Sequence, residues 1–198
     1  MPYVSAEIRR EQLADAALAV MKRDGVRAAT TRRICEEAGV AQGAFHYCFR
    51  SKQELFVLLM ERDAEAPVQD VRDEITPSMS PRECIALLMD RYWQQVEKDP
   101  GEQLVLAELS VLALRDSALS DYSSIEHRVY LAATLQHLRH AAERTGMTYS
   151  IPIEELAEVT TSAMLGVSSV WLATRDSVAA RRNLDILAEM VAAYAITP

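Results

Sequence analysis

Residues 25–52 read GVRAATTRRICEEAGVAQGAFHYCFRSK, and their spacing decides the fold. Thr30 stands where a hydroxyl can cap a helix over about Thr31–Ala38, accepting from a backbone N–H that has no partner inside the helix. Gly39 can take a positive φ without the penalty a side chain would bring, which suits a sharp turn. Val40 would plug the angle between that helix and a second one over about Ala41–Tyr47. Helix, short glycine turn and helix make a helix-turn-helix, over about residues 30–49. The second helix of such a unit can lie in the major groove of DNA.

Helical spacing continues on both sides. Leu13, Ala16, Ala17, Val20 and Met21 form one buried face, with Gly25 as its C-cap. Ser51-Lys52-Gln53-Glu54 and Ser80-Pro81-Arg82-Glu83 fit capping boxes, and Asp99-Pro100-Gly101-Glu102 is a third start. A helical pattern covers 117–144, with Ser123 as a candidate break and Gly146 as its end. Pro152 opens a helix at about 153–174, and Asp176 or Ser177 caps a last one. These starts predict an all-α chain of about nine helices. No sustained strand alternation is visible. The clusters around Pro67 and Pro77–Pro81 are the linker candidates.

Composition sets bounds. The chain has 198 residues, 49% of them hydrophobic, so one packed core or two small ones can form. With 6 Gly it is poor in the residue that glycine-rich nucleotide loops and tight-turned sandwiches need. Net charge is −8, which is unlike a non-specific nucleic-acid coat. The charge is split, however. Residues 1–60 hold 9 Lys+Arg and 7 Asp+Glu, a net of +2, and residues 61–198 hold 12 and 22, a net of −10. Cys35, Cys48 and Cys84 form no C-x-x-C and read as free thiols. No signal-peptide core or bilayer-length apolar run is apparent, so a soluble cytoplasmic protein without membrane contact is expected.

Gly25, Thr30, Ile34, Ala38, Gly39, Val40, Gly43, Phe49, Ser51, Lys52 and Leu55 stand in register with a known pattern: G-x-x-x-x-T-x-x-x-I-A-x-x-A-G-V, then x-x-G-x-L-Y-x-H-F, then x-S-K-x-x-L. On these residues the stretch from about Arg9 to Met60 resembles the DNA-binding domain of the TetR/AcrR family of bacterial transcriptional repressors. Cys35 replaces a usual Ala, and Ala41 stands where a capping Ser is common. His46 occupies the family's phosphate-binding Tyr position, Cys48 its His position, and Tyr47 is a candidate for the backbone contact instead.

The resemblance implies a DNA-binding domain at 1–50, a connecting helix at 51–76, and an effector-binding and dimerisation domain at 77–198. Thr30 and Thr31 begin a helix where hydroxyls and N–H groups can grip phosphate. Arg32 and Arg33 follow; an Arg fork can read guanine, and the family comparison puts Arg32 nearer the bases. Gln42 can read adenine or a neighbouring base, Ala44 a thymine methyl, and Lys52 can reach phosphate.

The resemblance also implies a pocket for a small effector. Candidate linings are Met89, Tyr92, Trp93, Leu112, Tyr130, Met164 and Trp171, with Glu108, Arg115 and His127 as polar members; ordinary core is the other reading of the apolar ones. The last two helices are apolar on more than one face. Leu156, Thr160, Ala163, Val167 and Val170, with Leu187, Val191 and Tyr194, are candidates for a homodimer interface.

The resulting expectation is a repressor released from a palindromic double-stranded DNA operator by a small molecule. Two rivals stand beside it: a helical ligand-binding protein without DNA recognition, and an enzyme on a helical scaffold. H-E-x-x-H, S-x-x-K, G-x-x-x-x-G-K-S/T and G-x-G-x-x-G are missing, so no catalysis and no cofactor are expected. His137 and His140 lie three apart, but no carboxylate or Cys motif accompanies them and no metal is expected.

Overall fold

A computed structural model describes residues 5–71, 74–119 and 121–197. Among these the chain is almost wholly helical: α1 (Ala6–Asp24), α2 (Thr31–Glu37), α3 (Gly43–Cys48), α4 (Lys52–Val71), α5 (Pro81–Lys98), α6 (Pro100–Ala113), α7 (Tyr122–Thr145), α8 (Ile153–Thr174) and α9 (Ser177–Ala192).

The start and stop chemistry is largely as the sequence predicts. The Thr30 hydroxyl accepts from Arg33 N at 3.2 Å, and Asp176 accepts from Ala179 N at 2.9 Å. Ser80 and Glu83 form a full capping box on α5, with Pro81 at its first position. Such caps each contribute about 1 kcal/mol. At α4, Ser51 accepts from Glu54 N at 3.2 Å, but the Glu54 carboxylate accepts from Arg50 N at 2.9 Å rather than from the cap residue. Gly25, Gly39 and Gly146 all take positive φ at helix ends.

Three expectations need correction. The second helix of the helix-turn-helix begins at Gly43, not Ala41. No side chain caps it, and tight bonds from Ala44 N to Ala41 O and from Phe45 N to Gln42 O hold the first residues in a turn. The linker expected around Pro67 is instead helix, since α4 continues to Val71; a proline removes one ladder bond from a helix already propagating. The break expected near Ser123 falls earlier, at a 3-10 turn over Ser117–Leu119. Asp116 builds it, its carboxylate accepting from Ala118 N and its carbonyl from Leu119 N. A two-residue antiparallel pair joins Thr148–Tyr149 to Ala195–Ile196, which leaves the expected lack of sustained strand alternation intact.

The chain folds as two compact units, Met1–Arg62 with Gly101–Glu126, and Asp63–Pro100 with His127–Pro198. They interleave along the sequence, whereas the sequence reading divides it linearly. In the first, Leu13, Ala17 and Val20 of α1 pack with Ile34, Phe45, Phe49 and Leu55, and Leu109 of α6 joins the same core. In the second, α5 packs along α9, and Trp93 meets Trp171 edge to face at 5.2 Å.

Candidate nucleic-acid interface and effector cavity

α3 has one inner and one outer side. Phe45, Cys48 and Phe49 are buried, while Gln42, His46 and Tyr47 are exposed. The 3.6-residue period alone sorts them this way. Tyr47 is 74% exposed, a large aromatic ring held out in solvent. Ala44 is half-buried beside it. Cys48, at the position where the resembled family has His, belongs to the core; burial pushes its thiol up, as it does that of Cys35.

On α2, Thr30 is exposed and Thr31 half-buried. The Arg32 side chain is 78% exposed and 2.8 Å from Glu36, one turn on. Arg33 lies 2.7 Å from Asp24, which also meets Arg23, itself 3.0 Å from Glu37. Exposed pairs of this kind contribute little, so either guanidinium can exchange its carboxylate for a phosphate or a base edge at small cost. Lys52 is half-buried at the start of α4, its ammonium 5.8 Å from the centre of the Phe56 ring.

Two side chains of α1 that sequence reasoning missed fix these helices. Arg10 donates to the carbonyl of Cys48 at the last residue of α3, lies 4.4 Å over the Phe49 ring and pairs with Glu54. Gln12 Nε2 donates to the Ala38 carbonyl at the end of α2, at 2.8 Å. Both supply donors to carbonyls that a helix end leaves open. Nothing in the apolar periodicity points to them, because they act from the margin of the buried face.

The second unit has a partly open cavity of about 50 Å³. Tyr92, Tyr130 and Met164 of the expected effector set line it. Met89 lines a neighbouring void of about 30 Å³ that shares Thr134, His137 and Met164 with the first. Asp63, Gln95 and Thr161 also face the cavity and were not foreseen. The Tyr130 hydroxyl donates to Asp63 Oδ2 at 3.1 Å, and the Tyr92 hydroxyl bonds to Ser168 and to the Met164 carbonyl. The remaining expected residues do not converge there. Trp93 and Trp171 are packed on each other, and Trp171 Nε1 donates to Ser177. His127 is exposed, 3.4 Å from Glu158. Glu108, Leu112 and Arg115 belong to the first unit, where Glu108 accepts from Val26 N, Leu112 packs on the core and Arg115 is exposed.

The expected interface residues divide. Leu156, Thr160, Leu187 and Val191 are buried within the protomer, and Ala163 and Val167 are half-buried. Val170 and Tyr194 are exposed, and so are Val159 and Leu165 on α8 and Val178, Ile186 and Met190 on α9. These two helices pack on each other and carry a second apolar stripe outward. Among the described residues α8 is long and apolar enough to cross a membrane by length and composition, a consequence of being apolar on both sides. No group of three or more His, Cys, Asp or Glu side chains suited to a metal occurs among the described residues.

Comparison with known proteins adds three findings. Residues 13–59 match the family described as bacterial regulatory proteins, tetR family. The chain is 29% identical over 191 residues to the HTH-type nicotine-responsive transcriptional repressor HdnoR of Paenarthrobacter nicotinovorans, covering 96% of each chain. It is 25% identical to the HTH-type transcriptional repressor KstR of Rhodococcus jostii, over 92% of this chain and 82% of that one. Its fold matches that of a transcriptional regulator from Rhodococcus sp. Rha1 with a TM-score of 0.68 at 19% identity, over 96% of this chain and 99% of the other.

Proposed function

We propose that this chain, which belongs to the tetR family of bacterial regulatory proteins, is a transcriptional repressor that a small molecule releases from a palindromic operator. One observation carries the reading. The exposed side of the helix-turn-helix gathers Arg32, Gln42, His46 and Tyr47, while every large apolar side chain of α3 except Tyr47 turns inward. Arg32 and Gln42 are the base-reading side chains, and Thr30, Thr31, Arg33, His46, Tyr47 and Lys52 grip the backbone, with Ala44 against a methyl group.

The apolar stripe on α8 and α9 supports a two-fold homodimer, since stable monomers rarely leave such faces in water. Two heads would then meet successive half-sites on one face of the duplex. The acidic balance of residues 61–198 keeps DNA away from the rest of the molecule. A bacterial regulator of this kind works in the cytoplasm, and no catalytic step or cofactor enters its action.

The cavity supports effector binding, and helix α4 supports the coupling. Lys52 is the first residue of α4, and Asp63, which lines the cavity, belongs to the same helix. A ligand that shifts α4 changes the geometry of the head it begins in. Coupling of this kind is typically about 1–3 kcal/mol.

Electrophoretic mobility of the promoter region beside the chain's own gene tests the proposal. A retarded complex at low salt is expected. A folded protein that gives no shift there would sink the DNA-binding reading and leave a helical ligand-binding protein.

A further inference from the structure

We propose that an open cleft of the first unit, beside the start of α4, takes a small organic anion with an apolar body, its carboxylate received by Arg27 and Lys52. The site stands on the geometry of this unit alone. Its consequence, direct competition between the bound anion and an operator phosphate for Lys52, rests on the DNA-binding reading above.

The cleft has a volume of about 450 Å³. Its walls come from three stretches of one unit: the 3-10 turn ahead of α2 (Val26–Ala28), the start of α4, and the end of α6 with the turn after it. Val26, Phe56 and Leu119 line it and are buried, so its depth is apolar. Arg27 is exposed and Lys52 half-buried at the same cleft. The Lys52 ammonium lies 5.8 Å from the centre of the Phe56 ring, one helical turn on, which sets the charge beside the apolar depth.

These two cations differ from their neighbours. Arg10, Arg23, Arg32, Arg33 and Arg62 of the same unit each hold a carboxylate. Among the described residues neither Arg27 nor Lys52 forms an ion pair. The carboxylates on the three stretches are engaged elsewhere. Asp116, which also lines the cleft, accepts from Ala118 N at 3.0 Å, Glu54 pairs with Arg10, and Glu108 accepts from Val26 N at 3.3 Å. A ligand carboxylate gains charge-assisted bonds from the two cations, while its apolar part leaves water against Phe56 and Leu119. Lys52 presents one ammonium. An anion that occupies it withholds it from an operator phosphate, so ligand and operator exclude one another at that contact.

Calorimetric titration of the full chain tests this with matched probes. Phenylbutyrate carries the carboxylate and the ring; phenylbutanol replaces the charge by a hydroxyl; inorganic phosphate has the charge and no apolar body. Phenylbutyrate should bind at least about tenfold more tightly than either. Arg27→Gln removes one cation and should weaken phenylbutyrate about tenfold. Ala118→Trp, at an exposed position of the cleft, fills the space and should abolish binding; Arg27→Gln serves if it does not fold. The alcohol or phosphate as tight as the acid, or acid affinity unaltered in the variants that fold, would overturn the site. Operator titrations at rising phenylbutyrate then test the competition. The apparent Kd for operator should climb without a ceiling, whereas an effect coupled from a distant site levels off, typically at about 5–150-fold. A plateau would overturn the competition. Silent phenylbutyrate with a retarded operator overturns this site alone. Phenylbutyrate binding without any operator shift supports the site and removes the repressor reading.

Discussion

The Arg10 guanidinium on α1 lies 2.7 Å from the Glu54 carboxylate in the first turn of α4, and it also donates to the last carbonyl of α3. One side chain thus ties together three helices of the DNA-binding head. Both partners are about one-third exposed, so solvent screens the pair and its own contribution to stability is modest, about 0.5–1 kcal/mol. Its larger effect is positional. Arg10→Met should lower the melting temperature slightly and operator affinity markedly, read by calorimetry and mobility shift on one preparation. Equal affinity would show that α3 keeps its orientation without Arg10.

The same pair sets a pH dependence. The Arg10 bond, then the Arg50 backbone N–H, holds the Glu54 carboxyl below its ordinary value of 4.5. A depressed carboxyl stabilises the folded state above its unfolded value, and that stabilisation is lost as pH falls through the folded value. The stability gap between wild type and Glu54→Gln should therefore be full at neutral pH and close in acid below 4.5. A gap that stays constant across the titration would place the effect of the substitution elsewhere.

Contacts on the exposed face should separate by type. Lys52→Ala should weaken binding on all sequences alike and lower the salt slope by about 1. Arg32→Ala should cost about 1–3 kcal/mol on the preferred operator and relax the choice of base at one position of each half-site. Uniform loss across operator variants would make Arg32 a backbone contact, as Arg33 is proposed to be.

The two apolar faces of α8 and α9 should respond differently. Ile186→Glu on the outer stripe, 54% exposed, should leave the melting of the protomer nearly unchanged and split the proposed dimer in sedimentation. Leu156→Ala on the inner face, 3% exposed, should cost about 2–5 kcal/mol of folding stability and leave the proposed dimer contact untouched. A monomer from Leu156→Ala at full fold, or a stable dimer from Ile186→Glu, would reverse the assignment.

Gly39 should be replaceable only at a backbone cost. Its φ is +65°, and a Cβ there would meet nothing within 4 Å. Gly39→Ala should thus cost about 1 kcal/mol from the left-handed conformation alone, without any steric clash. A loss of several kcal/mol by denaturant unfolding would mean that the turn between α2 and α3 has rearranged.

Most local chemistry was legible in the sequence; the start of α3 and the passage of α4 through Pro67 were not. Thr30, Ser80 and Asp176 cap helices because a side-chain oxygen satisfies N–H groups within three residues of it, and no distant part of the chain is needed. Gly39 turns because only backbone sterics are involved. The inner side of α3 followed from its period. The same locality explains why the helix-turn-helix and its exposed residues could be named from residues 25–52.

Relations between helices were not legible. Periodicity states that α8 and α9 are apolar on two sides but not which side meets the protomer core, so Leu156 and Val170 looked alike until packing separated them. Asp63 looked like one more charge on a long helix, and Glu108 like a buried polar group seeking a ligand. Packing of distant segments brought Tyr92, Tyr130 and Asp63 around one cavity and gave Glu108 the N–H of Val26. Sequence by itself determined most of the helices, their side-chain caps and the exposed side of the helix-turn-helix, because those depend on neighbours within one turn. The cavity, its charge and the outward stripe were decided by tertiary structure, because each depends on which faces of separate helices come to lie against one another.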